Sequence, residues 1–239
     1  MAGGVRRAVV LPSPLLPARA YAPLALALER HGWGTLVAEV PGVPSGPEPV
    51  LATFRDAVRG ARADLVVAHS NAGRYAVAAA GAAPVVYLDA ALPPEHGDAT
   101  LAPEGLLDHL AGLADDTGHL PPWTRWWDDD DIAAVVPDAA VLAGIRAEEA
   151  RMPLAYFRSR LGAPDGWVNH PQAYLALGDT YAEEIALARR LRWPTAVLDG
   201  ALHLHHLVDP DAVASAVLDL AGRSSPVRSA PGRQGTTTG

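Results

Sequence analysis

Residues 64–74, Asp-Leu-Val-Val-Ala-His-Ser-Asn-Ala-Gly-Arg, constrain the fold more than any other stretch of the chain. The apolar run 65–68 has the length and composition of a buried strand. The alanine-rich segment 71–80 reads as a helix packed back on that strand. Ser70 stands at the corner between them. A serine on such a bend has its hydroxyl held clear of the backbone, and the bend is tight, so residues two positions either side must be small. Here they are Ala68 and Ala72, with Gly73 one step further on. The usual pattern is Gly-x-Ser-x-Gly, and the two alanine methyl groups make the approach closer. The corner is either a nucleophile elbow presenting Ser70 for attack or a serine that merely caps the next helix.

The rest of the chain favours the first reading. Strands are expected at 7–11, 34–40, 65–68, 84–89, 173–177 and 193–198, and helices at 22–31, 50–63, 71–80, 182–191 and 210–220. This alternation predicts an α/β fold with a mainly parallel sheet covered by helices on both faces. In such sheets ligands sit at the carboxyl ends of the strands, where Ser70, Asp89, Asp179 and His203 all fall. Ser70, Asp179 and His203 also occur in the order nucleophile, acid, base that a serine hydrolase of this architecture uses.

Composition removes other classes. The 239 residues are 49% hydrophobic and 19% charged, enough for one soluble domain with a large core. A net charge of −8 argues against nucleic acid as a partner, because phosphate binding needs a basic face. There is no cysteine, which excludes disulfides, thiolate catalysis and cysteine-ligated zinc. No apolar run is long enough for a signal peptide or a membrane span, so a cytoplasmic location is expected. Residues 1–222 form the expected domain, and 223–239, rich in Ser, Pro, Gly, Arg and Thr, are expected to be a disordered tail. No Gly-x-Gly-x-x-Gly or Walker loop follows a strand, and His203-Leu-His-His206 lacks the Asp-His that completes a metallo-hydrolase signature. The expectation is therefore no cofactor and no metal. The acidic run 128–131 lacks the spacing of a calcium loop and reads as a solvated loop or helix start.

Three segments together resemble the α/β-hydrolase superfamily, in particular its small esterase and hydroxynitrile-lyase-like branch. They are the elbow around Ser70, Asp89-Ala-Ala-Leu-Pro93 after a strand, and the loop from Gly200 to His203 leading into Asp209-Pro210. The resemblance covers roughly residues 5 to 222. It implies that His203, the first of the three late histidines, is the base that takes the proton of Ser70. The acid that orients the imidazole is implied at Asp179, after the next-to-last strand, or at Asp89, a position some members use. Glu183 and Glu184 instead read as first-turn helix residues favoured by the dipole. The oxyanion hole is implied to use the Asn71 backbone N–H and a donor from 11–17, Leu-Pro-Ser-Pro-Leu-Leu-Pro, where many relatives carry His-Gly. Pro12 and Pro14 have no N–H. That leaves the N–H of Leu15 or Leu16, or the Ser13 hydroxyl.

Residues from about 94 to 171 interrupt the alternation, and an inserted helical lid is expected there. It contains Trp123, Trp126 and Trp127, which either anchor the lid to the core or form an aromatic wall over Ser70. The sequence thus points to a serine hydrolase acting on an ester, thioester or lactone of a hydrophobic small molecule. Two alternatives use the same fold: a cofactor-free lyase or cyclase, and a non-catalytic small-molecule binding protein. No motif encodes the substrate's identity or the oligomeric state.

Overall fold

The computed structural model describes residues 4–40 and 42–224. In chain order it runs β1 (Arg7–Leu11), α1 (Ala22–Arg30), β2 (Gly34–Val37), α2 (Pro47–Ala61), β3 (Leu65–Ser70), α3 (Gly73–Ala80) and β4 (Val85–Ala90). An insertion follows, with β5 (Asp98–Thr100), α4 (Glu104–Leu113), α5 (Asp129–Val135), α6 (Ala139–Glu148), α7 (Leu154–Arg158) and β6 (Arg160–Gly162). The alternation resumes with β7 (Gln172–Ala176), α8 (Ala182–Arg190), β8 (Thr195–Val197) and α9 (Pro210–Ser224). The six strands outside the insertion form one parallel sheet in the order β2-β1-β3-β4-β7-β8.

Period-two alternation divides the core. Val9, Leu11, Val66, Ala68, Val85, Tyr87, Tyr174 and Ala176 face one side, packing with Val50 and Phe54 of α2, Tyr75 and Ala76 of α3, and Ile185 and Ala188 of α8. Ala8, Val10, Leu65, Val67, Val86, Leu88, Ala173 and Leu175 face the other, against Leu24 and Leu28 of α1 and Val213, Val217 and Leu220 of α9. Strands buried on both faces read as continuous apolar runs, which is why they were visible in the sequence.

The boundaries differ where turns intervene. The second strand stops at Val37, not 40, since Pro41-Gly-Val-Pro follows and the edge strand is only partly buried. The second helix begins earlier, at Pro47, because proline suits the first helical turn. The third begins at Gly73, Asn71 and Ala72 being spent on the turn after Ser70. The last helix continues through Arg223 to Ser224; the rest of the expected tail, 225–239, lies outside the described residues. The insertion is more ordered than an irregular segment: α4–α7 are joined at its root by the antiparallel pair β5–β6, Ala99 opposite Leu161.

The corner after β3 closes against β4. A Cβ on Gly73 would sit 2.1 Å from the Ala91 carbonyl oxygen and 2.9 Å from the Ala90 Cβ. Neither can yield cheaply, since one is backbone and the other is fully buried. The glycine this bend requires is thus Gly73, and the methyl groups of Ala68 and Ala72 are accommodated. Gly73→Ala is expected to destabilise the protein by about 3 kcal/mol or more, at the upper end of overpacking costs. In the same urea titration Gly60→Ala, on an exposed stretch of α2 with nothing within 4 Å of the added carbon, is expected to be neutral or stabilising by up to ~1 kcal/mol.

Candidate active site

The order of strands across the sheet reverses between β1 and β3, because β2 lies on one side of β1 and β3 on the other. In open parallel sheets a crevice opens at such a point, outside the carboxyl ends of the strands. Ser70 ends β3 with φ +57°, a left-handed conformation rare for a residue with a side chain. The bend aims its Oγ across the end of β4. There the strand register slips: His69 pairs with Leu88, but Ser70 pairs with Ala90. Asp89 is the extra residue of this bulge, with φ +42° and no solvent exposure.

Asp89, His203 and Ser70 form one continuous hydrogen-bonded array. The Leu177 N–H donates to Asp89 Oδ1 at 2.9 Å, fixing the carboxylate. His203 Nδ1 lies 2.7 Å from Asp89 Oδ2, and His203 Nε2 lies 3.1 Å from Ser70 Oγ. A carboxylate accepts only, so Nδ1 carries the proton and Nε2 is left to accept from Ser70 O–H. This is the arrangement in which an imidazole can remove the serine proton while the carboxylate supports the resulting positive ring.

Asp179 is not part of this array. It is exposed in the turn before α8, and the carboxylate at His203 is Asp89. The physical reason is the bulge, which turns the last carboxylate of β4 inward, whereas Asp179 follows Gly178 (φ +90°) on an outward turn. Glu183 and Glu184 lie in the first turn of α8, as expected.

The loop after β1 differs from the expectation of a free backbone donor at Leu15 or Leu16. The Leu15 N–H points back into its own loop, toward Ser13 Oγ at 3.4 Å, and the Leu16 N–H donates to the Ser13 carbonyl at 3.1 Å. Ser13 N–H is occupied by the Tyr21 hydroxyl at 2.9 Å. With Pro12 and Pro14 lacking the group, every backbone N–H from 12 to 16 is absent or engaged. Of the donors considered there, the Ser13 hydroxyl remains. Asn71 directly follows Ser70. Its side chain is anchored in the insertion, donating to the Leu101 carbonyl at 2.9 Å and accepting Tyr156 O–H at 3.2 Å.

The three tryptophans separate. Trp126 is buried in the insertion, its indole N–H donating to the Pro121 carbonyl at 2.8 Å and its ring meeting Phe157 edge-on, so it anchors the insertion. Trp127 is 44% exposed and stacks on His109 at 5.1 Å. Only Trp123, partly buried, packs against both halves of the core.

Two features escaped the sequence reading. The first is Tyr181, whose hydroxyl lies 3.4 Å from Ser70 Oγ and whose ring is 5.8 Å from that of His203. The local signal for it is a tyrosine two residues after Asp179 in 177–181, Leu-Gly-Asp-Thr-Tyr, at the carboxyl end of β7. The second is a buried chain of donors. Ser13 N–H donates to Tyr21 Oη, Tyr21 O–H to His69 Nδ1 at 2.8 Å, and His69 Nε2–H to the His203 carbonyl at 3.0 Å. Burial, with His203 and His206 nearby, holds the His69 imidazole well below its ordinary value of 6.5. His206 is also fully buried, stacked on Tyr21 at 4.9 Å, and neither ring nitrogen makes a hydrogen bond of normal geometry. Burial first, then His203, pushes it down to about 3. Among the described residues no group of three or more His, Asp or Glu is disposed to hold a metal ion, and no helix is long and apolar enough to cross a membrane.

The sheet order, the strained serine between β3 and α3, and the late histidine together define the α/β-hydrolase fold. Solved structures agree. The chain is similar to a variant of tomato Methylketone Synthase I complexed with beta-ketoheptanoate, at TM-score 0.73 and 12% identity over 94% of this chain and 100% of that one. An extracellular alpha/beta-hydrolase from a Paenibacillus species, described as structurally and functionally homologous to tobacco Salicylic Acid Binding Protein 2, matches at TM-score 0.70 and 13% identity, over 90% and 98%. The thioesterase domain from the curacin biosynthetic pathway matches at TM-score 0.58 and 14% identity, over 90% and 91%. No family model and no curated protein matches the sequence.

The buried histidines give a pH prediction. Both have folded values below their ordinary 6.5, so as pH falls below 6.5 the unfolded chain binds protons that the folded chain refuses, and stability is lost. Each contributes a slope of about 1.4 kcal/mol per pH unit in that window. His206→Phe, which keeps the stack on Tyr21, is expected to reduce the slope of unfolding free energy against pH by about one such increment between roughly pH 6 and 5. Denaturant titrations at several pH values measure it.

Proposed function

We propose that this protein is a serine hydrolase that cleaves an ester, thioester or lactone of a hydrophobic small molecule through an acyl-enzyme on Ser70. The observation that carries the proposal is the unbroken line from Asp89 Oδ2 through His203 to Ser70 Oγ, at 2.7 and 3.1 Å. His203 takes the Ser70 proton as Oγ bonds to the carbonyl carbon, then delivers it to the departing oxygen or sulfur. Asp89 fixes the imidazole tautomer and balances its charge. The Asn71 N–H and the Ser13 hydroxyl hold the oxyanion. Water, activated by the same imidazole, releases the acyl group. The insertion acts as the lid, with Trp123 as its wall toward the substrate.

The engaged N–H groups of the β1 loop favour one second reading, a lyase or cyclase in which Ser70 and His203 move a proton and no tetrahedral oxyanion needs two backbone donors. A fluorophosphonate probe together with p-nitrophenyl esters separates the two. Hydrolysis predicts a covalent adduct on Ser70, located by peptide mass mapping, that is absent in Ser70→Ala and in His203→Ala, with ester turnover by the unmodified protein. An adduct without turnover of any ester favours the lyase.

The acid follows the same assay. Asp89→Asn is expected to lower kcat by about 10⁴-fold, because the amide stabilises the wrong tautomer of His203. Asp179→Asn, on its exposed turn, is expected to retain wild-type turnover. Reversal of that order would remove Asp89 from the mechanism.

A further inference from the structure

We infer that Tyr181 is a catalytic residue whose O–H donates a hydrogen bond to the leaving-group oxygen as the bond to the acyl carbon breaks. This rests on the hydrolase reading above. Tyr181 follows β7 and α8 begins beside it, so the residue reaches Ser70 from the flank opposite the β1 loop. Its hydroxyl stands 3.4 Å from Ser70 Oγ, and its ring lies 5.8 Å from that of His203, the imidazole that must return the proton. The approach depends on Gly178, whose φ of +90° and missing side chain let the loop pass the Ala201 carbonyl, 3.2 Å from where a Cβ would lie.

Two further observations fit a donor. Burial, with Asp89 close by, drives the phenol far above its ordinary value and keeps it protonated. Ser70 O–H is committed to His203 Nε2, so the remaining capacity of Oγ is to accept, which leaves the tyrosine hydroxyl as the donor toward the oxygen that becomes acylated. In acylation the Oγ–carbon bond forms, the carbon–oxygen bond to the alcohol breaks, and that oxygen receives the proton His203 took from Ser70. Tyr181 keeps its own proton and steadies the charge on the departing oxygen until transfer is complete.

The test is Tyr181→Phe, which keeps the ring, on esters of one acyl group whose alcohols rise in pKa. kcat/KM, which reports acylation, is expected to fall by about 10²-fold for alkyl alcohols. It should fall least for the p-nitrophenyl ester, whose phenolate departs without help, so the dependence on leaving-group pKa steepens. Fluorophosphonate labelling of Ser70 is expected to persist, because fluoride also leaves unaided. A uniform loss across the series, no loss at all, or loss of labelling would overturn the assignment. Wild-type protein that neither hydrolyses the series nor takes the probe at Ser70 defeats the hydrolase reading itself, before the variant enters.

Discussion

The start of α3 is pressed against the end of β4 more tightly than any residue but glycine allows at position 73, and the geometry of the site descends from that contact. Ser70 and Asp89 both occupy left-handed backbone, at a cost of roughly 1–3 kcal/mol each. Such strain persists only where neighbouring structure overdetermines it. Gly73 lets the helix close on Ala90 and Ala91. The Ala91 N–H donates to the Ser70 carbonyl at 3.1 Å. From β7, Tyr174 Oη accepts the Ala90 N–H at 3.0 Å and its O–H donates to the Ala90 carbonyl at 2.8 Å, while Leu177 N–H holds the carboxylate of Asp89. The close packing of α3 on β4 and the bonds from β7 and Leu177 together restrain the bends that point serine and carboxylate at a common imidazole.

The third member of the array comes from a loop more than a hundred residues further along the chain and needs its own restraint. It has one in the chain of donors running from Ser13 through Tyr21 and His69 to the carbonyl of His203. A neutral, buried imidazole suits this task, because it donates on one side and accepts on the other. A protonated ring would have two donors, one of them facing a hydroxyl that must then reverse. The loop after β1 and the loop carrying His203 are thus held in register through the residue immediately before the serine. In the sequence His69 looks like a bystander of the elbow; in the fold it sets the height of His203.

What the sequence carried and what it withheld follow from the range of the interactions. The sheet was legible because its strands are buried on both faces, leaving unbroken runs such as 65–68 and 84–89. Ser70 was legible because its corner forces small neighbours locally. The choice between Asp89 and Asp179 was not, since it depends on a one-residue slip between two strands that no local pattern records. The prolines announced missing donors at positions 12 and 14, yet the destination of the Leu15 N–H required the loop to be folded. Trp123, Trp126 and Trp127 lie together in the chain but split between core, interior of the insertion and surface, because a short 3-10 turn at Trp123–Arg125 fans them apart.

The anchoring of Asn71 ties the elbow to the insertion. Asn71 directly follows Ser70, and its side chain bridges the Leu101 carbonyl and the Tyr156 hydroxyl, with Tyr156 in turn 2.7 Å from Tyr75 on α3. All of these groups are buried, so breaking any one leaves a polar atom without water to replace its partner. Any movement of the root of the insertion must therefore carry Asn71 with it or forfeit those bonds. Elbow and insertion are therefore set together, because the residue after Ser70 cannot move independently of the segment that carries Leu101 and Tyr156.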